Sequence, residues 1–294
     1  MNLSLKQPPA TALVLLAILS VQFGSALAKS LFDDLGPWGV VTLRVTFSAV
    51  ILAGILRLKW KNEIRQNARL ILLFGAVFAL MNSCFYLAIA RIPLGVAIAL
   101  EFTGPLGLSI LKSQRWLDGL WTMLAAIGII LLTPLTGATI DPLGVLFAII
   151  AGVGWALYIV SSAKLGQQLP GIEGLAWGLL VSTAILLPIG ISITGHALFD
   201  PPLLFKGLGV ALLSTTLPYS LEMIALRIIP IKVFGVMMSL EPMAGALAGL
   251  LILGEKLSVR SLTACILVSI AAAGAARFKG TDQAIDKETG PKTL

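Results

Sequence analysis

The chain has 294 residues, of which 57% are hydrophobic and 12% charged, and its formal net charge is +7. About 25% of the residues of an ordinary soluble domain are charged, so with a mean hydropathy of +0.98 a soluble globular protein is excluded. The basic balance would also suit nucleic acid, but in a chain of apolar runs it reads as loop charge beside a membrane, and no nucleic-acid partner is expected.

In chain order, apolar runs bounded by charge or by Pro and Gly predict ten spans at 10–28, 37–56, 70–90, 93–111, 116–134, 142–163, 172–195, 205–226, 230–253 and 259–276. The fold class is therefore an all-α polytopic membrane protein. Lys6, the first run and Ala26-Leu27-Ala28 together imitate a secretory leader. The run is too long for a leader core, so it is read as a retained first span. Cys84 and Cys265 lie far apart inside apolar runs and read as small packing residues. The polar tail, 278–294, reads as disordered.

Loop charges orient the spans. With the N-terminus inside, the inner segments carry 15 of the Lys and Arg residues, including the cluster Arg57, Lys59, Lys61, Arg65 and Arg69. The outer segments carry 5, namely Lys29, Arg91, Lys206, Lys256 and Arg260, while Arg44 falls within a span. Both termini are thus expected in the cytoplasm.

The chain is weakly doubled. ALEFTGPLGLSIL around Glu101 aligns with SLEPMAGALAGLL around Glu241, 140 residues on, and AIARIP at Ala88–Pro93 echoes ALRIIP at Ala225–Pro230. A repeat of five spans crosses an odd number of times, so its second copy is inverted. The expected units are 1–138 and 139–277, with any site at the midplane where they meet.

Arg44, Glu101, Glu222 and Glu241 lie inside spans, and each costs about 2.5–3.5 kcal/mol at a helix centre on insertion scales. By helical rise, Glu101 lies roughly 12 Å and Arg44 about 10 Å below the outer surface, while Glu241 lies roughly 15 Å above the inner one. Arg44 and Glu101 at similar depth allow either a structural ion pair or a place on a transport path. Glu241 has no basic residue at its depth. A lone carboxylate in low dielectric can gain and lose a proton near neutral pH, which is what proton coupling needs. Glu222 sits close enough to the inner end to reach headgroups or Arg227, and is the second proton-coupling candidate. Pro105 and Pro242 remove backbone donors beside the two glutamates. Asn82, Tyr86, Tyr158, Thr216 and Tyr219 are candidate substrate contacts beside Arg44 and Glu101, with Gln22, Trp155, Ser214 and Thr215 as further polar residues of the spans.

The stretches SALAKSLF (25–32), PLGVAIALEFTGPL (93–106), LSTTLPYSLEMIAL (213–226) and FGVMMSLEPMAG (234–245) resemble the EamA-type branch of the drug/metabolite transporter superfamily. Within it they are similar to the threonine/homoserine exporters of bacterial inner membranes. The likeness runs over about residues 10–276, and Gly254-Glu255-Lys256 matches a broader pattern of the superfamily. It implies efflux of small amino acids by proton antiport and alternating access, in a carrier with both termini in the cytoplasm. At Ile231-Lys232-Val233 the chain departs from the Thr and Arg of the family, which bears on substrate range. Same-fold export of a drug, sugar derivative or other metabolite is the alternative.

An intramembrane enzyme lacks its parts. The single histidine, His196, is in a loop, and no pair of aspartates lies inside the spans. No catalytic residue, metal or cofactor is expected. The expected partners are an amino-acid substrate, protons and the lipid bilayer, and the sequence is compatible with a homodimer.

Overall fold

The computed structural model describes residues 10–105, 107, 116–132, 141–228, 237–256 and 258–278. The tail beyond 278, Ile231-Lys232-Val233 and parts of the fourth, fifth and ninth predicted spans lie outside the described residues.

Every regular element among the described residues is helical. In chain order these are α1 (Ala10–Lys29), α2 (Phe32–Leu56), the short α3 (Asn62–Gln66), α4 (Ala68–Ile89), α5 (Leu94–Glu101), α6 (Trp116–Leu132), α7 (Pro142–Gln168) and α8 (Glu173–Thr194). A 3-10 turn at Gly195–Phe199 leads to α9 (Pro201–Ala211), which continues through a π-helical segment, Leu212–Thr216, into α10 (Leu217–Ile228). Then come α11 (Glu241–Leu253) and α12 (Val259–Phe278). Among the described residues six helical stretches are long and apolar enough to cross a membrane: Thr11–Lys29, Phe32–Leu56, Ala68–Ile89, Pro142–Gln168, Glu173–Phe199 and Pro201–Ala225. Shorter apolar helices cover Leu94–Pro105, Gly119–Gly128, Glu241–Leu253 and Val259–Ala271.

Local chemistry sets the boundaries. Gly36 adopts φ 63°, ψ 169°, so the regular part of α2 starts at Pro37, whose fixed φ suits a first helical turn and whose missing N–H is not needed there. Asp141 caps α7, its side chain accepting from Leu143 N at 2.8 Å.

In lipid the hydrophobic effect does not drive helices together, so close packing has to. Small residues supply it. A Cβ on Gly95 of α5 would lie 2.9 Å from Ala246 Cα of α11, and one on Gly152 of α7 would lie 2.5 Å from the Glu101 carbonyl oxygen. The α5 backbone is thus in direct contact with α7 on one side and α11 on the other. Helix α1 packs on α10 and α11, α2 on α8 and α9, α4 on α7 and α8, and α6 on α12. Leu, Ile and Val side chains such as Leu73, Leu80, Val153 and Leu251 cover the outer face, as expected where lipid is the solvent.

Among the described residues three ion pairs are present: Lys29–Glu255 at 2.7 Å, Lys61–Glu173 at 3.1 Å and Arg91–Asp141 at 3.5 Å. The first is the most elaborate. The Glu255 carboxylate also accepts from Leu94 N at 3.1 Å, at the first turn of α5, and Lys29 Nζ donates to the Ile92 carbonyl at 3.2 Å. The ends of α1 and α11 and the start of α5 are thereby tied together.

Candidate functional site

Arg44 is the largest fully buried side chain, 1% exposed. Its guanidinium is held by α4. Nη1 donates to Tyr86 Oη at 2.8 Å, and Nη2 donates to Asn82 Oδ1. Asn82 is itself fixed, its Nδ2 donating to the Phe78 carbonyl at 2.8 Å. The Arg44 carbon Cζ lies 4.9 Å from the Tyr86 ring centroid, and Arg44 Nε has no hydrogen-bond partner among the described residues. These two α4 residues, one turn apart, therefore set the depth and direction of the charge.

The guanidinium opens on a cavity of about 50 Å³ lined by Gln22, Asn82, Glu101, Tyr219, Glu222 and Glu241, with Ser25 and Trp155 and an apolar remainder that includes Met81, Phe85, Ile98 and Met238. That volume holds a few waters. The structure thus brings Arg44, Asn82, Glu101 and Tyr219 together with both proton-coupling candidates, Glu222 and Glu241.

Three expectations need correction. Arg44 and Glu101 share the cavity, but they are not one of the described ion pairs, because Tyr86 and Asn82 occupy the guanidinium. Glu222 does not sit at the headgroups; it is 6% exposed and on the cavity wall. Pro242 does not loosen a continuous helix. It stands in the first turn of α11, where a missing N–H is not needed.

The backbone is irregular beside each glutamate. Helix α5 ends at Glu101, with a turn at Phe102 before helical residues resume at Thr103, and a turn at Ser239-Leu240 immediately precedes Glu241. Glu241 therefore stands at the start of a helix on the cavity wall, whereas at Phe102 the backbone stays right-handed, with φ −62° and ψ −16°, so Glu101 lies within a helix that is only locally irregular.

Tyr158 and Thr216 do not line the cavity. The Tyr158 ring backs that of Tyr219 at 5.7 Å, and Thr216 lies in the π-helical segment with its Oγ1 unpartnered. Ser20 Oγ donates to the Leu213 carbonyl of that segment at 2.6 Å, and Ser48 Oγ, whose one proton has the Arg44 carbonyl at 2.7 Å, also lies 3.1 Å from the carbonyl of Ala211 just before the segment. π-helical turns often mark functional sites. Sequence reasoning missed Ser20, Ser48 and Ser25. Isolated serines in apolar runs carry no distinguishing pattern.

The EamA-like transporter family model matches residues 142–277. The threonine/homoserine exporter RhtA of Escherichia coli (strain K12) is 41% identical over 265 residues, covering 89% of this chain and 89% of that protein. RhtA of Salmonella typhimurium (strain LT2) is 41% identical over 260 residues, covering 87% and 88%. A solved crystal structure superposes with a TM-score of 0.64 at 19% identity, covering 95% of this chain and 99% of the other, which shows a shared fold. These relatives are transporters and not enzymes, and their match covers most of both chains. The chain is a multi-pass membrane exporter and belongs to the EamA-like transporter family.

Proposed function

We propose that the protein exports small amino acids of the threonine and homoserine type across the bacterial inner membrane, in exchange for protons. The observation that carries this reading is the grouping of one guanidinium with three carboxylates around a single cavity. A zwitterion needs both charges at once: a cation for its carboxylate and an anion for its ammonium. Arg44 would take the carboxylate and Glu101 the ammonium, with Asn82, Tyr86, Tyr158, Thr216 and Tyr219 forming or backing the site. Glu241, with Glu222 as second candidate, would carry the proton, since intramembrane carboxylates in a water-accessible site are the groups that relays use. Relatives named for threonine and homoserine export support the substrate class.

Transport would proceed by alternating access between two inverted five-helix repeats, 1–138 and 139–277. The paired sequence motifs around Glu101 and Glu241 support that division. The small cavity also favours movement of the helices before a substrate can enter.

Expression in a host sensitive to homoserine or threonine should raise its tolerance and lower its internal pool of the amino acid. If tolerance to both stays unchanged while another compound is exported, the amino-acid reading fails and a same-fold exporter of that compound replaces it.

Orientation has its own test. Cys84 and Cys265 are buried, so a cysteine placed at exposed Asn62 or exposed His196 reports its own side. In intact cells an impermeant thiol reagent should label His196→Cys and leave Asn62→Cys unlabelled until the membrane is opened. Labelling of both in intact cells would rule out cytoplasmic termini with ten crossings.

A further inference from the structure

The groups assigned above recognise what every amino acid has. Arg44 and the carboxylates read the charged ends and cannot tell a hydroxylated side chain from an apolar one. Gln22 stands apart from them. It lies on α1, is 4% exposed and lines the same cavity, and its Oε1 has no hydrogen-bond partner. No hydrogen bond holds its amide among the described residues. Asn82, by contrast, is already committed, bridging Arg44 and the Phe78 carbonyl.

The surroundings of the amide fit a side-chain subsite. A Cβ on Gly245 would stand 3.3 Å from Gln22 Oε1, so the amide rests where α11 has no side chain. Gly245 is one turn after Glu241 and on the same helical face, which places the amide beside the charged part of the cavity. Val21, Ile98 and Met238 supply apolar wall for a short carbon chain. A buried amide left unpartnered is unfavourable, and a hydroxyl satisfies it by donating to Oε1 and accepting from Nε2.

We propose that Gln22 is the specificity-determining residue of the carrier, an amide that selects amino acids bearing a side-chain hydroxyl over their deoxy analogues. The inference rests on the amino-acid reading of the cavity. Threonine and homoserine share one deoxy analogue, 2-aminobutyrate, since they differ only in which carbon carries the hydroxyl. One flexible amide serves both positions. A site built to hydrogen-bond a hydroxyl rejects the analogue lacking it because its own polar group is then left unpaired.

The test is exchange in vesicles loaded with each of the three compounds, comparing the full chain with Gln22→Leu and with Gln22→Met. The wild-type protein should exchange threonine and homoserine about tenfold or more faster than 2-aminobutyrate. In both variants that ratio should fall to near unity, with 2-aminobutyrate exchange retained, which also shows that the variants fold. A ratio kept at the wild-type value in either variant overturns the assignment. So does loss of all three activities in both variants, which would make Gln22 a packing residue. A wild-type protein that exchanges none of the three overturns the amino-acid reading itself, and this inference with it.

Discussion

Arg44→Ala should abolish export of threonine and homoserine while the protein still reaches the membrane. The substitution removes the cation proposed for the substrate carboxylate and leaves Tyr86 Oη and Asn82 Oδ1 facing the cavity without the donors that they hold. Removing one partner of a buried charge pair costs about 3–5 kcal/mol, a loss of roughly two to four orders of magnitude in transport. Arg44→Lys keeps the charge but cannot satisfy Tyr86 and Asn82 together with a carboxylate, because the planar fork is lost. It should recover only a small part of the activity. Efflux rates normalised to the membrane-inserted protein check both. Export by Arg44→Ala within a few-fold of wild type would remove Arg44 from the binding site and leave it a structural role.

Glu241→Gln should separate two activities that the wild-type protein combines. Glutamine resembles the protonated carboxyl in shape and neutrality but cannot release a proton. Substrate-for-substrate exchange returns the carrier loaded and needs no proton release, so it should continue at a rate within a few-fold of wild type. Uphill accumulation driven by a proton gradient should fall to the background level. Glu101→Gln should impair both assays, because an ammonium partner is lost in either mode. If Glu241→Gln kept gradient-driven accumulation at the wild-type level, the proton would have to be carried by another group. Glu222, on the same cavity wall, would then be the one to substitute.

Much of this was legible in the residues. Apolar run length marked out an all-helical membrane fold, with six stretches long and apolar enough to cross a membrane among the described residues, because in a bilayer both length and composition are dictated by the solvent. The cost of burying charge singled out Arg44, Glu101, Glu222 and Glu241, and all of them reach one cavity. What failed was direction around the helix. Counting residues from a membrane surface gives a depth, so it left an Arg44–Glu101 ion pair open beside a place on a transport path. The side chains that hold Arg44 come from α4, and depth alone does not say which helix faces which. The same limit applies to Glu222, near the end of its helix by count yet turned inward among neighbouring helices. The π-helical segment of Leu212–Thr216 adds to this, since a wider turn rotates every later residue relative to a regular α-helix. The serines beside it come from α1 and α2, far away in sequence, and no local pattern announces them.

The contact between α5 and α11 has a mechanical consequence. Gly95 rests on Ala246 and, one turn on, Ile98 of α5 fills the notch over Gly245 of α11, so the two helices interlock and move as a pair. Glu255 and Lys29 fasten that pair at the Leu94 end of α5. Any tilt about that end carries Glu101 along Gly152 of α7, where no side chain stands in the way. Glu101, the last residue of α5, stands about 10 Å from that fulcrum at the helical rise per residue. A tilt of a few degrees there moves the carboxylate much further than it moves Leu94. The short arm of the protein is its fastening, and the long arm carries the charge.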